Sequence, residues 1–176
     1  MASLTSRFVD MNKLELKIGD KAVYPAHGVA QVIAIETREV AGQHKDFYIL
    51  RIVGSGFKLM VPTDGAKRAG LRGLMSKQAV RRLLTLLRQP VDIPVGLPWA
   101  KRAREYNEMI GSGELANVAR IVRELHQRAH ERELSYSERK VLEHARALIV
   151  SEIAVARECS EERACQQIDT ALAANL

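Results

Sequence analysis

Apolar and polar residues alternate in short runs between residues 14 and 62, with the period of two that is typical of half-buried β-strands. Pro25 interrupts this region, so a bend or a sheet edge is expected there. Short strands joined by tight turns predict a small, bent antiparallel sheet or barrel that ends near Pro62. The strand-like runs cover residues 14–18, 21–40, 46–54 and 57–62, with a hairpin loop at 41–44.

Beyond residue 62, the apolar spacing changes to that of amphipathic helices. Residues 66–75 form a connector that is either a loop or a short helix, and three prolines and a glycine make residues 90–98 an extended linker. The helix-start signals are Ser76, Ser160, Pro98 and a capping box of Ser135 with Glu138. The predicted helices are residues 77–89, 99–110, 114–133, 139–159 and 161–174.

These two patterns divide the chain into a flexible leader at residues 1–13, a β domain at 14–68 and a helical domain at 69–176. The predicted fold class is therefore α+β with two domains, a small antiparallel β domain followed by an all-α domain. A hydrophobic share of 47% in 176 residues is enough for two small cores, to which aromatic residues, at 5%, contribute little.

Composition argues against secreted and membrane-spanning proteins. No apolar run reaches the ~18 residues that a membrane span requires, and the first ten residues lack the apolar stretch of a secretory signal. Cys159 and Cys165 are too few for a disulfide scaffold and are interpreted as reduced packing residues. We therefore expect a cytoplasmic protein that has no membrane partner.

The net charge of +6 is unevenly distributed along the chain. Residues 77–104 contain seven basic residues and one acidic residue, whereas residues 105–176 contain nine basic and thirteen acidic residues. Dense positive charge fits a phosphate-binding surface, although a solvated basic helix face would give the same pattern. The charge alone leaves both interpretations open.

The sequence contains no phosphate-binding loop, dinucleotide-binding glycine motif, nucleophile elbow or zinc-protease motif. His126 and His130 share a helix face without an evident third ligand, so they are interpreted as exposed surface histidines. We predict no enzyme activity, no catalytic residue, no metal site and no cofactor. Acids and arginines at helical spacing are interpreted as surface ion pairs, as in Arg120 with Glu124 and Arg128 with Glu131.

The single tryptophan, Trp99, stands at the start of a predicted helix, directly after the proline-rich linker. The same helix carries Lys101, Arg102 and Arg104. A tryptophan at a helix start can simply cover a protein core. Alternatively, the cations can hold DNA phosphates while the flat indole enters a minor groove or wedges at a base step.

Three segments carry a family likeness. The first is the pattern GD-x-x-VYP-x-x-G-V, which runs from Gly19 to Val29. The second is PWAKRAREY around Trp99, and the third comprises GELANVARIVRELH and LSYSERKVLEHARALIVSEIAVA. In this order they resemble the bacterial CarD/CdnL transcription regulators, from about Leu16 to the end of the chain. The short CdnL-like type is the most similar.

This resemblance implies a Tudor-like β domain that docks on the β subunit of bacterial RNA polymerase, with edge-strand pairing as the plausible mode. It also implies a helical domain that contacts promoter DNA without a base code, in the minor groove at the upstream edge of the bubble, and stabilises the open complex. By position, the polymerase-contacting residues fall at Arg38, Met60 and Pro62. The DNA-contacting residues fall at Trp99, Lys101, Arg102 and Arg104.

The sequence departs from the family pattern at two positions. Ala103 stands where the family often has Tyr, so some packing or groove contact is lost. Met60 stands where some relatives carry Arg, which makes that polymerase contact apolar here.

Two other functions stay open at this point. The chain could be a polymerase-binding adaptor whose helical domain binds another protein. For either of these functions, the open-complex regulator or the adaptor, we expect a monomer. The chain could also be a nucleic-acid-processing enzyme, although the basic region lacks paired carboxylates.

Overall fold

The computed structural model describes residues 14–91 and 97–174, so the proposed leader at residues 1–13 lies outside the described residues. Within these ranges, five strands precede five helices, which confirms the α+β prediction. None of the described helices combines the length and the apolar character needed to cross a lipid bilayer.

The strands are β1 (Lys21–Tyr24), β2 (Gly28–Val40), β3 (Gln43–Ile52), β4 (Lys58–Pro62) and β5 (Arg72–Gly73). They form one antiparallel sheet in the order β4-β3-β2-β1-β5. One face of this sheet is the domain's core, with Tyr48, Leu50 and Val61 among its buried residues.

The hairpin between β2 and β3 turns through Ala41 and Gly42. Their φ angles are 51° and 75°, and positive φ at both central residues gives a turn whose twist matches the strands. The hairpin is therefore tighter than the loop expected at residues 41–44, and Gln43 already pairs with Val40.

Residues 14–18 do not form the expected strand. The Tyr48 hydroxyl donates to the Leu14 carbonyl at 2.7 Å and accepts from the Leu16 amide at 3.2 Å. Leu14 and Leu16 also pack on the sheet core. The hydroxyl of one buried phenol thus takes the place of ladder hydrogen bonds for this segment. The alternation reflects the partial burial of Leu14 and Leu16 without strand pairing, whereas Ile18 is 65% exposed.

The connector at residues 66–75 contains a strand that the sequence pattern did not reveal. After a turn, Arg72 and Gly73 of β5 pair with Val23 and Ala22 of β1. Leu71 is buried in the sheet core just before this strand. The sheet therefore continues past residue 68, where the domain boundary was expected.

The helices are α1 (Lys77–Leu87), α2 (Trp99–Gly111), α3 (Leu115–Glu131), α4 (Tyr136–Arg157) and α5 (Glu161–Ala173). Ser76, Ser135 and Ser160 each accept a hydrogen bond from a first-turn amide, which confirms the predicted caps. Pro98 occupies the N-cap position, one residue before the helical position expected for it. Apolar stripes from all five helices meet in one core.

An ion pair between a partly exposed arginine and a buried carboxylate joins the sheet to the helices. The Glu152 carboxylate of α4 accepts hydrogen bonds from Arg72 of β5 at 2.6 and 2.8 Å and from the Met75 amide at 2.9 Å. We call this ion pair the Arg72–Glu152 clamp. Next to it, a Cβ placed on Gly28 would lie 3.3 Å from the Leu148 side chain, so the β1–β2 turn packs closely on α4.

Candidate functional site

The sheet brings the expected polymerase-contacting residues to one face. Residues that pair in register on neighbouring strands point to the same side of a sheet. Arg38, Met60 and Pro62 all point away from the sheet core, which lies on the other side. The paired rows on this face are Arg38–Lys45, Glu36–Phe47–Pro62 and Ala34–Ile49–Met60. We call it the outer sheet face.

The outer sheet face ends at an edge strand. Within the described residues, β4 pairs only with β3, so its other side is open to another chain. Met60 on this strand is 47% exposed, whereas Pro62 is half-buried beside Phe47. The combination offers backbone hydrogen-bonding groups together with an apolar side chain.

Arg38 forms an exposed ion pair on the same face. Its guanidinium donates to the Glu36 carboxylate at 2.7 Å and 3.1 Å. Exposed pairs of this kind contribute little to stability. The guanidinium can therefore exchange Glu36 for a partner's carboxylate at small cost.

Trp99 lies at the first position of α2, and its indole is half-buried. The ring packs against the helical core and against Tyr106, with centroids 6.2 Å apart and an interplanar angle of 60°. Lys101 and Arg104 are exposed on the same helix. The indole therefore both covers the core and keeps part of its surface free.

The structure corrects the expected position of Arg102. Its side chain is buried, with the residue 7% exposed, although it was expected as a DNA-contacting surface cation. Its guanidinium lies 5.4 Å from the centroid of the Trp99 ring and 3.4 Å from Glu138. The reason is helical spacing, because residues 99, 102 and 106 lie on one side of α2, which faces the core. Arg102 therefore packs against the Trp99 ring and helps to fix its orientation.

Glu138 balances the buried charge of Arg102. It also accepts hydrogen bonds from Arg132 at 2.6 and 3.1 Å and from the Ser135 amide at 2.9 Å. Burial acts to raise the pKa of Glu138, but the hydrogen bonds from Arg132 and Ser135 prevail and lower it to about 2. The N-cap of α4 and the support of Trp99 thus share one carboxylate.

A second correction concerns Glu124, which was expected in a surface ion pair. It is only 2% exposed and accepts hydrogen bonds from Tyr106 at 3.0 Å and Arg120 at 2.6 Å. Burial first, and then the charge of Glu124, raise the pKa of Tyr106 to about 12. This network fixes Tyr106, the ring on which Trp99 rests.

The histidines and cysteines do not form a metal centre within the described residues. His126 and His130 are in ring contact, with centroids 4.9 Å apart. His126 is half-buried, not fully exposed as expected, and burial together with the charge of His130 lowers its pKa. Cys159 and Cys165 are free thiols at the border of the helical core, as expected of packing residues.

Two parts of the chain match known domains. Residues 16–75 match the CarD-like/TRCF RID domain, and residues 82–169, half of the chain, match the CarD C-terminal domain. The two family matches, in this order along the chain, place it among transcription regulators. The chain belongs to the CarD family, as its sequence motifs led us to expect.

Individual relatives agree with this assignment. The "Putative transcription factor YdeB" of Bacillus subtilis is 29% identical over 147 residues, which cover 84% of this chain and 95% of that protein. The transcription-repair-coupling factor of Bacillus subtilis is 44% identical over 50 residues, or 28% of this chain and 4% of that protein.

Two solved structures from Myxococcus xanthus are similar to part of the chain. The 72-residue N-terminal domain of CarD is 42% identical, with 34% of this chain and 80% of that chain covered and a TM-score of 0.31. CdnLNt is 44% identical, with 37% and 92% covered and a TM-score of 0.30.

Proposed function

We propose that this protein binds the β subunit of bacterial RNA polymerase through its outer sheet face and stabilises the promoter open complex through α2. Arg38, Met60 and Pro62 are the polymerase-contacting residues of this proposal. Trp99, Lys101 and Arg104 contact DNA at the upstream edge of the bubble, while Arg102 positions the indole. The partners are thus a polymerase lobe and promoter DNA bound without a base code, in the nucleoid.

The outer sheet face supports the first contact. An open edge at β4 can pair with a strand of the polymerase, and Met60 beside it supplies apolar area. Arg38 lies on the same face and can bind an acidic partner residue. The match of residues 16–75 to a domain shared with transcription-repair coupling factors supports the same assignment.

One observation carries the second contact: a half-exposed indole lies at a helix start, beside two exposed cations. Lys101 and Arg104 can bind phosphates while the indole enters a weakened base step, which is easiest where pairing has already been lost. Arg102 and Tyr106 hold the ring in one orientation, which lowers the entropy lost on binding.

The proposed effect on transcription follows from differential binding. A protein that binds the open state better than the closed state shifts the equilibrium by its difference in binding free energy. A difference of about 1.4 kcal/mol changes the ratio tenfold. No catalytic step is required.

Open-complex lifetime after competitor challenge tests the proposal. Trp99→Ala should shorten the lifetime severalfold while capture of the protein by the isolated polymerase β lobe stays normal. Tyr136→Ala is the matched control, because this aromatic residue at the start of α4 is also exposed. An unchanged lifetime for Trp99→Ala would contradict the DNA contact.

The adaptor function is the second candidate, and the packing of Trp99 on Tyr106 and Arg102 favours it. An indole that covers the core has a structural role there, so its position does not require a contact with DNA. Phosphate contacts make binding fall steeply with salt, whereas an adaptor would bind the promoter complex with a shallow salt dependence. A salt titration of the promoter complex therefore separates the two functions.

A further inference from the structure

A groove between α1 and α5 gathers four arginines from three helices. Arg81 comes from α1 and Arg88 is its C-cap residue, whereas Arg157 ends α4 and Arg163 lies in the first turn of α5. The groove has a volume of 610 Å³. None of the described residues that line it is acidic, although the C-terminal third of the chain is acidic overall.

The groove is built from two facing polar stripes. On each helix, the lining residues recur at intervals of three and four, which places them on one side of that helix. Amides and hydroxyls stand between the arginines and can add neutral hydrogen bonds to an anion. Apart from Leu84 the stripes are polar. They comprise Arg81, Leu84, Thr85 and the C-cap residue Arg88 on the α1 side, and Arg163, Gln166, Gln167 and Thr170 on α5.

The arginines of the groove form no ion pair within the described part of the chain. Arg81, Arg88 and Arg163 are exposed, and no described carboxylate forms an ion pair with them. Arg157 donates one hydrogen bond to the Gln167 side chain, which orients it along the groove. Four cations that share a groove with no acidic residue in its described lining favour a bound anion.

The charge extends beyond this groove. An adjoining depression of 470 Å³ on α1 shares Arg81 and Thr85 with the first and adds Arg82. From Arg81 to Arg88 the helix rises about 10 Å. A strip of this length, continued around the helix, suits a polymer with successive phosphates better than one small anion.

The groove lacks the apolar anchors that protein partners use. Leu84 is the only apolar residue among its described lining, and no described aromatic residue contributes. Protein interfaces take most of their energy from buried aromatic and aliphatic anchors. Arginine, by contrast, binds phosphate with two parallel hydrogen bonds, so this composition favours a nucleic-acid backbone.

We infer that the α1–α5 groove is a binding site for the phosphate backbone of duplex DNA, separate from the surface around Trp99. Contacts to phosphates position a protein on a duplex and carry no sequence information. The site joins the basic residues of α1 to Arg157 and Arg163, which belong to an acidic part of the sequence. Binding at this site requires only fully paired DNA. The inference therefore does not depend on whether Trp99 enters a base step.

Salt-dependent binding to a fluorescent, fully paired duplex of random sequence tests the inference. The full-length chain is compared with the double variant Arg88→Gln, Arg163→Gln by fluorescence anisotropy over a series of KCl concentrations. Each lost phosphate contact reduces the slope of log K against log salt by ~0.9, so the slope should fall by about 2. The affinity at 0.1 M salt should fall about tenfold.

The control removes the same charge elsewhere. Arg51→Gln with Arg68→Gln takes away two exposed arginines of the β domain and lowers the net charge equally. This variant should keep the slope and lose less than twofold in affinity. Equal losses in both double variants, or no loss in the groove variant, would show that the groove is not the site.

Two further measurements separate this inference from two alternatives, a site for small polyphosphates and the proposed DNA contact of Trp99. Tripolyphosphate at the same phosphate concentration as the duplex should not displace it; displacement would assign the groove to small polyphosphates instead. Open-complex lifetime tests the role of Trp99 independently, so the two proposals can fail separately.

Discussion

The candidate contact residues are arranged differently in the two domains. In the sheet, Arg38, Met60 and Pro62 share one face, because the strand period of two places them all away from the core. In α2, neighbouring basic residues diverge: Lys101 is exposed and Arg102 is buried. Positive charge that is contiguous in a helical sequence is therefore not contiguous on the surface.

The difference has an energetic side. The Arg38–Glu36 pair on the sheet is exposed, so either partner can be lost cheaply. The Arg102–Glu138 pair is buried, so removing one partner strands a charge in the core. The following predictions test how far this contrast between exposed and buried arginines extends.

Glu138→Ala should have the largest effect on stability. It removes the N-terminal capping box of α4 and leaves Arg102 buried without its partner. We expect the free energy of unfolding in denaturant to fall by about 3–5 kcal/mol. The matched control is Glu143→Ala, an exposed acid of the same helix that pairs with Lys140, and its effect should stay within about 0.5 kcal/mol. Similar losses in both variants would contradict the contrast.

Glu152→Ala should have the next largest effect. It removes the partner of Arg72 and of the Met75 amide, but Arg72 is partly exposed and can regain water. We expect a loss of about 2–3 kcal/mol. The sheet and the helices should also become less coupled, so amide exchange of β2 and fluorescence of Trp99 should report separate transitions. Glu108→Ala, which removes an exposed acid of α2, should leave one transition.

The stability of the protein should fall in acid because of Glu138. Its pKa is about 2 in the folded protein, below the usual 4.5, so its stabilising effect is complete above pH 4.5 and is lost as the pH falls towards 2. The free energy of unfolding, measured across this range, should decline more steeply than in Glu138→Gln. If the difference in unfolding free energy between the unmodified protein and Glu138→Gln grew as the pH fell, the prediction would be wrong.

Arg38→Ala should have the smallest effect on stability. An exposed ion pair is lost, so the free energy of unfolding should change by less than about 0.5 kcal/mol. Capture by the isolated polymerase β lobe should nevertheless weaken. Arg68→Ala, at an exposed arginine outside the outer sheet face, provides the control and should bind normally.

Local signals predicted much of the fold. The serine caps, the capping box and the change from strand to helix spacing depend on residues close in sequence, and the structure confirms them. Two features depend on distant partners and escaped prediction. Residues 14–18 are held by Tyr48, and β5 exists because β1 lies beside it.

The site was only partly accessible to sequence reasoning. The burial of Arg102 was signalled by its spacing of three residues from Trp99 and four from Tyr106, a pattern that places all three on one side of a helix. The α1–α5 groove carried no such signal. Arg157 and Arg163 reach the α1 arginines only through the packing of three helices, and they lie in a part of the sequence where acids predominate.

The Arg72–Glu152 clamp has a geometric consequence for the proposed function. It links β5 directly to α4, so we expect the outer sheet face and the indole to keep a nearly constant separation. A protein anchored at one end on the polymerase then meets the duplex at a fixed number of base pairs from the enzyme. The chain would act as a molecular ruler, selecting its position on a promoter by reach alone.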